Sequence, residues 1–140
     1  MTKRFVRSAL LYAILAMVFG VFYREFTKFS GFAGETTLSV MHTHYFMLGM
    51  MFNLVMLGLD KVFAFADPQR TGRALCVYHA GLNITGLGLL VRGLTQVQGT
   101  VLSRGMDAAL SGISGVGHIL LGVSMLLMLI RLYKTVKASA

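Results

Sequence analysis

Four histidines are the residues of this 140-residue chain best suited to chemistry, and each falls inside an apolar run. His42 and His44 share one run, His79 lies in the next, and His118 lies in the last. An imidazole placed there can ligate a metal, relay a proton or link two helices by a hydrogen bond. Ionisable side chains are rare within membrane spans and mark function by default. The carboxylates are placed differently, because Glu25, Glu35, Asp60, Asp67 and Asp107 all fall at run ends or in connections. A proton-coupled exporter usually needs an acid at the membrane midplane, and the sequence offers none. Cys76 stands alone, which excludes a disulfide scaffold and a cysteine zinc site.

The sharpest feature is the spacing in His42-Thr43-His44. Two residues along a helix amount to about 200° of rotation, so the two imidazoles leave on nearly opposite sides. Such a helix can serve two sites, one on each flank; the plainer reading leaves one histidine at the interface and only the other functional. Depth separates the four. Counting from Asp60, His44 lies 16 residues away, about 24 Å along a helix, with His42 about 3 Å beyond it. His118 lies 13 residues from Arg131, about 20 Å along, whereas His79 lies six from Arg73, about 9 Å along. His42, His44 and His118 therefore share one half of a bilayer, and the second and fourth runs can face a common ligand. Haem suits this arrangement, since its iron takes histidine and its macrocycle can lie between apolar helices. Copper is the competing metal. Zinc fits less well, because it would need three or four histidines at one depth. His79, with Tyr78 beside it and Asn83 one turn on, reads as polar packing between helices, as does Asn53. His118 has the same alternative reading. The ten methionines read as flexible core filling.

The elements that position these residues follow from composition. The chain is 56% hydrophobic and 13% charged, with a mean hydropathy of +0.72. A soluble domain is nearer 25% charged, so a soluble monomer and a disordered chain are both excluded. Four apolar runs, residues 8–23, 38–59, 74–91 and 108–130, predict an all-α polytopic membrane protein with four transmembrane helices in an antiparallel bundle. No run alternates with a period of two, which argues against a β-barrel. The first run has a basic start but no small-x-small cleavage site after it, and is read as a helix of the mature protein. Gly81, Gly86 and Gly88 in the third run and Gly112, Gly115, Gly117 and Gly122 in the fourth predict close helix packing.

The formal charge of +8 comes from Lys and Arg gathered at the ends of the runs. They form no basic face with interleaved aromatics, so nucleic-acid binding is not expected. Nine lie on the side of Lys3, Lys61 and Lys137, against four (Arg24, Lys28, Arg92 and Arg104) on the other. The positive-inside rule then puts both termini in the cytoplasm.

With His42-Thr43-His44 near the outer end of its second helix, the chain resembles one four-helix arc of the catalytic subunit of the haem-copper oxidase and nitric oxide reductase superfamily. In that superfamily twelve helices form three such arcs, and one second helix carries a His-x-His pair serving two haems. It also resembles small four-helix bacterial membrane proteins of unknown function that share the pair. The resemblance implies a symmetric trimer, with haem between neighbouring second helices held by His42 of one and His44 of the next. It further implies that Arg92 meets the haem propionates; the plainer reading of Arg92 is an interfacial anchor. The histidine cluster of a copper site and a His-x-x-x-Tyr motif are absent, so the likeness does not extend to oxygen reduction or proton pumping.

The sequence expectation is a multi-pass, haem-binding protein of a bacterial cytoplasmic membrane. It has b-type bis-histidine haem drawn from His42, His44 and His118, and serves electron transfer or redox or gas sensing. The expected partners are the lipid bilayer, further copies of the chain as a trimer or dimer, and a quinol or other redox partner. A cofactor-free transporter or channel subunit and a structural or assembly subunit are the alternatives.

Overall fold

The computed structural model describes residues 1–139, and every element among them is helical. Helix α1 spans Thr2–Phe29, α2 Leu38–Phe63, α3 Arg70–Val97 and α4 Arg104–Ser139. All four are long and apolar enough to cross a membrane. The apolar runs lie within these helices, but the helices run further: α1 begins at Thr2 and α4 continues to Ser139. A run ends where apolar side chains end, whereas backbone hydrogen bonding continues through Lys, Arg and Glu, which are good helix formers.

The core is apolar, but the exterior is unlike that of a water-soluble domain. Leu10, Val18 and Val21 of α1 and Ile113, Ile119 and Leu126 of α4 are exposed, while Asn53, Thr85 and Ser124 are buried. Soluble monomers rarely expose apolar patches beyond a few hundred Å², so this exterior is compatible with a multi-pass membrane protein. On α1 the buried residues Phe5, Ala9, Tyr12 and Ala16 form one stripe at helical spacing. That stripe packs along α2, whose first half packs on α3. Helix α4 lies chiefly against α3 and only lightly against the last turns of α2.

The α3–α4 seam depends on missing side chains. A β-carbon on Gly81 would stand 2.6 Å from the Leu121 backbone nitrogen and 2.7 Å from the Gly117 carbonyl oxygen. One on Gly117 would stand 2.9 Å from the Thr85 nitrogen. Backbone therefore meets backbone, the approach that small residues permit between helices. The connections are tied down by polar contacts. Thr36 Oγ1 donates to the Gly93 carbonyl at 3.1 Å, and Thr37 Oγ1 to that of Leu89 at 2.8 Å. At the other end Asp67 Oδ1 accepts the N–H groups of Gln69 at 2.9 Å and Arg70 at 2.6 Å, capping α3. Arg131 of α4 donates from Nε to the Phe65 carbonyl at 2.8 Å and lies 3.8 Å from Asp67 Oδ2. One short turn thus joins α2, α3 and α4.

Two expectations follow. Gly81→Ala forces a methyl group into backbone that cannot yield cheaply and should cost about 1–3 kcal/mol. Gly58→Ala, with nothing within 4 Å, should be neutral or stabilise by up to about 1 kcal/mol. Thermal melts in detergent compare them. The second concerns Asp67, whose carboxyl is held below its ordinary value by the Arg70 N–H foremost, with partial burial opposing and the Gln69 N–H and Arg131 charge adding. A lowered folded-state pKa contributes stability that is complete above the unfolded value and lost as pH falls through the folded one. The melting-temperature gap between wild type and Asp67→Ala should be full at neutral pH and narrow below about pH 4. A gap that does not vary with pH would contradict it.

Candidate functional site

His44 leaves α2 and His118 leaves α4 so that their rings approach one another edge to face, with centroids 6.3 Å apart and planes at 88°. Both rings are locked in the same way. His44 Nδ1 donates to the Val40 carbonyl at 2.8 Å, and His118 Nδ1 donates to the Ser114 carbonyl at 2.9 Å. Each acceptor lies one turn back on the histidine's own helix, so each Nε2 keeps its lone pair. That is the tautomer of a metal-ligating histidine oriented by a backbone carbonyl. Two imidazoles on opposite sides of one metal, with metal–nitrogen bonds of about 2.0 Å and about 1.1 Å more to each ring centre, have centroids about 6.2 Å apart. The observed 6.3 Å matches that spacing, which is equally that of an edge-to-face ring contact.

The surface beside His118 is open. Gly115 and Gly122 lie one turn to either side of it on the same stripe of α4, and a β-carbon on either would meet nothing within 4 Å. Gly112, one turn above Gly115, is likewise open, while Gly117 is the one glycine of this group closed against α3.

His42 takes the other flank of α2. Its ring lies against α1, 3.8 Å from where a β-carbon on Gly20 would stand, and its Nδ1 is buried without a hydrogen-bond partner. The structure thus brings His44 and His118 together and leaves His42 apart, as the 200° offset between His42 and His44 requires. Among the described residues no group of three or more His, Cys, Asp or Glu side chains gathers to hold a metal ion.

Arg92 is paired within the chain. Its Nη2 lies 2.9 Å from Asp107 Oδ1 and donates to Ser111 Oγ at 2.8 Å, clamping the end of α3 to the start of α4. Ser111 lies on the His118 stripe, seven residues or about 10 Å along α4.

His79 belongs to a polar cluster between α1 and α3. Its Nε2 lies 2.9 Å from Ser8 Oγ, while Asn83 Nδ2 donates to the Tyr12 hydroxyl at 2.9 Å and to the His79 carbonyl at 2.7 Å. Ser8 and Tyr12 are the partners that sequence reasoning missed. Their spacing of four within an apolar run is the only signal that could have found them.

A second feature had no clear sequence signal. Immediately after His44 the chain forms a π-helical stretch, Tyr45–Met51, before α-helix resumes at Phe52. The wider winding alters the carbonyl partners, and two side chains meet them: Tyr78 donates its hydroxyl to the Leu48 carbonyl, and Asn53 Nδ2 donates to that of Gly49, both at 2.7 Å. Gly49 also lets Tyr12 of α1 lie against the α2 backbone. π-Helical turns recur at functional sites, and this one follows directly on His44.

No curated protein and no solved structure matches the chain. A family model described as "Protein of unknown function (DUF2871)" matches residues 1–135, nearly the whole of it. The chain therefore belongs to the DUF2871 family.

Proposed function

We propose that the protein is a multi-pass protein of a bacterial cytoplasmic membrane that binds b-type haem between His44 and His118 of one protomer. Its four helices cross the bilayer antiparallel to one another with both termini cytoplasmic, as the nine-to-four distribution of Lys and Arg favours. The observation that carries the haem reading is the pair of imidazoles 6.3 Å apart, each with Nδ1 engaged and Nε2 free. Two donors in trans do not complete a metal site by themselves. A metal that brings its own equatorial ligands needs only these two, and haem iron is of that kind. The open surface over Gly115 and Gly122 gives a flat ring room beside His118.

The residues divide the work simply. His44 and His118 hold the iron, and their carbonyl bonds to Val40 and Ser114 fix ring orientation and keep Nε2 available. Arg92 retains free donors beyond Asp107 and Ser111 for a propionate. Haem ligated on both sides supplies one-electron redox chemistry and leaves no open position for a substrate. The role proposed is therefore electron relay or redox sensing, with a quinol or another redox partner. His42 faces α1 of its own chain, which favours ligation within one protomer over the His42–His44 pairing across a trimer that the oxidase likeness implies. A homo-oligomer remains part of the proposal.

The test is the absorption spectrum of detergent-purified protein, oxidised and dithionite-reduced. Sharp reduced α and β bands are expected in the wild type and in His42→Ala. His44→Ala and His118→Ala should each lose them. Gly115→Leu, whose β-carbon meets nothing within 4 Å, should keep the melting temperature of the haem-free form while lowering haem content several-fold. Full pigment in both His44→Ala and His118→Ala would overturn the reading. A colourless wild type that takes up one cuprous ion would move it to copper, and one that binds neither would leave a transporter or structural subunit.

A further inference from the structure

At the opposite end of the α3–α4 seam from Arg92 lies a groove enclosing a cavity of about 430 Å³. Its mouth carries four basic residues, Arg70 and Arg73 from α3 with Arg131 and Lys134 from α4. Its walls are apolar: Val77 on α3, and Val123 and Leu127 on α4, continue the groove toward the middle of the helices. From Lys134 to Val123 is eleven residues, about 16 Å along α4. Arg131 is partly engaged by the Phe65 carbonyl and Asp67. Among the described residues no ion pair involves Arg70, Arg73 or Lys134.

We infer that this groove binds an anionic phospholipid, with its phosphate among Arg73, Arg131 and Lys134 and one acyl chain along Val77 and Val123. Charge complementarity selects the occupant. A neutral lipid or a hydrophobic helix would fill the walls equally well but would leave four cations against one carboxylate, Asp67. Basic pockets between membrane helices on the cytoplasmic side recognise anionic headgroups in this way. A free phosphate would satisfy the mouth and leave the apolar walls unused. The site is separate from the His44–His118 pair and rests only on the membrane placement proposed above.

The experiment is native mass spectrometry of the detergent-released full chain after exchange into mixed micelles of phosphatidylglycerol and phosphatidylcholine. Wild type should retain phosphatidylglycerol in preference, and Arg73→Gln/Lys134→Gln should lower that preference about tenfold or more. Lys3→Gln/Lys61→Gln, which removes two cations of the same membrane face outside the groove, should leave it unchanged. Equal retention of both lipids by wild type, or an equal loss in the two double variants, would overturn the inference. Displacement of the lipid by millimolar inorganic phosphate would make the groove a phosphate site and overturn it too. Carbonate-washed membranes report placement independently. A chain that stays in them yet is indifferent to headgroup refutes the groove alone, and a chain that washes off refutes the placement with it.

Discussion

The direction of His118 is set by the residue before it. Gly117 has no side chain, so α4 can seat its backbone against Thr85 and Gly81 of α3. One residue further along a helix is a rotation of about 100°, which carries His118 off the seam and round toward α2. Without that seating α4 could turn about its own axis, and the meeting with His44 would be lost. The same contact shapes the groove at the far end of the two helices, since Ser124 and Met128, buried on the same side of α4 as Leu121, lie along it. A single close approach thus bears on both the His44–His118 pair and the basic groove.

Several interior polar groups are paired between helices, while His42 Nδ1, Asn53 Oδ1, His79 Nδ1 and Thr85 Oγ1 are buried without a partner. Tyr78 and Asn53 meet the carbonyls of the π-helical stretch, and Ser8, Tyr12 and Asn83 surround His79. A buried polar group left without such a bond costs about 1–3 kcal/mol. His44 and His118 are satisfied in another way, each on its own helix, and so remain free to act across the gap between them. His79 is committed to structure by the same logic, because its Nε2 is already engaged.

Much of the fold was legible because its signals are local. Four apolar runs marked four helices, and the His42–His44 spacing alone put the two rings on different flanks. The levels of His44 and His118 followed from counting residues to the flanking charges. What could not be read was which helix faces which. Arg92 meets Asp107, fifteen residues on and across a connection, a pairing that nothing local in the sequence announces. His79 finds Ser8 seventy-one residues away. Tyr78, which meets the Leu48 carbonyl of the π-helical stretch, comes from another helix, so no window of α2 alone contains that contact. The glycines illustrate the limit well. Gly115 and Gly117 look alike in the sequence, yet one is open and the other closed against α3.

In the proposed site His44 and His118 of one chain would together hold the haem iron, and the angle between their ring planes distinguishes that pair from any other. Planes at 88° give low-spin ferric haem a strongly anisotropic electron paramagnetic resonance signal, with one large g feature, whereas parallel planes give a rhombic one. Frozen oxidised protein is expected to show the strongly anisotropic signal, unchanged in His42→Ala and absent in His118→Ala. A rhombic signal that survives His118→Ala and disappears in His42→Ala would rule out the His44–His118 pair.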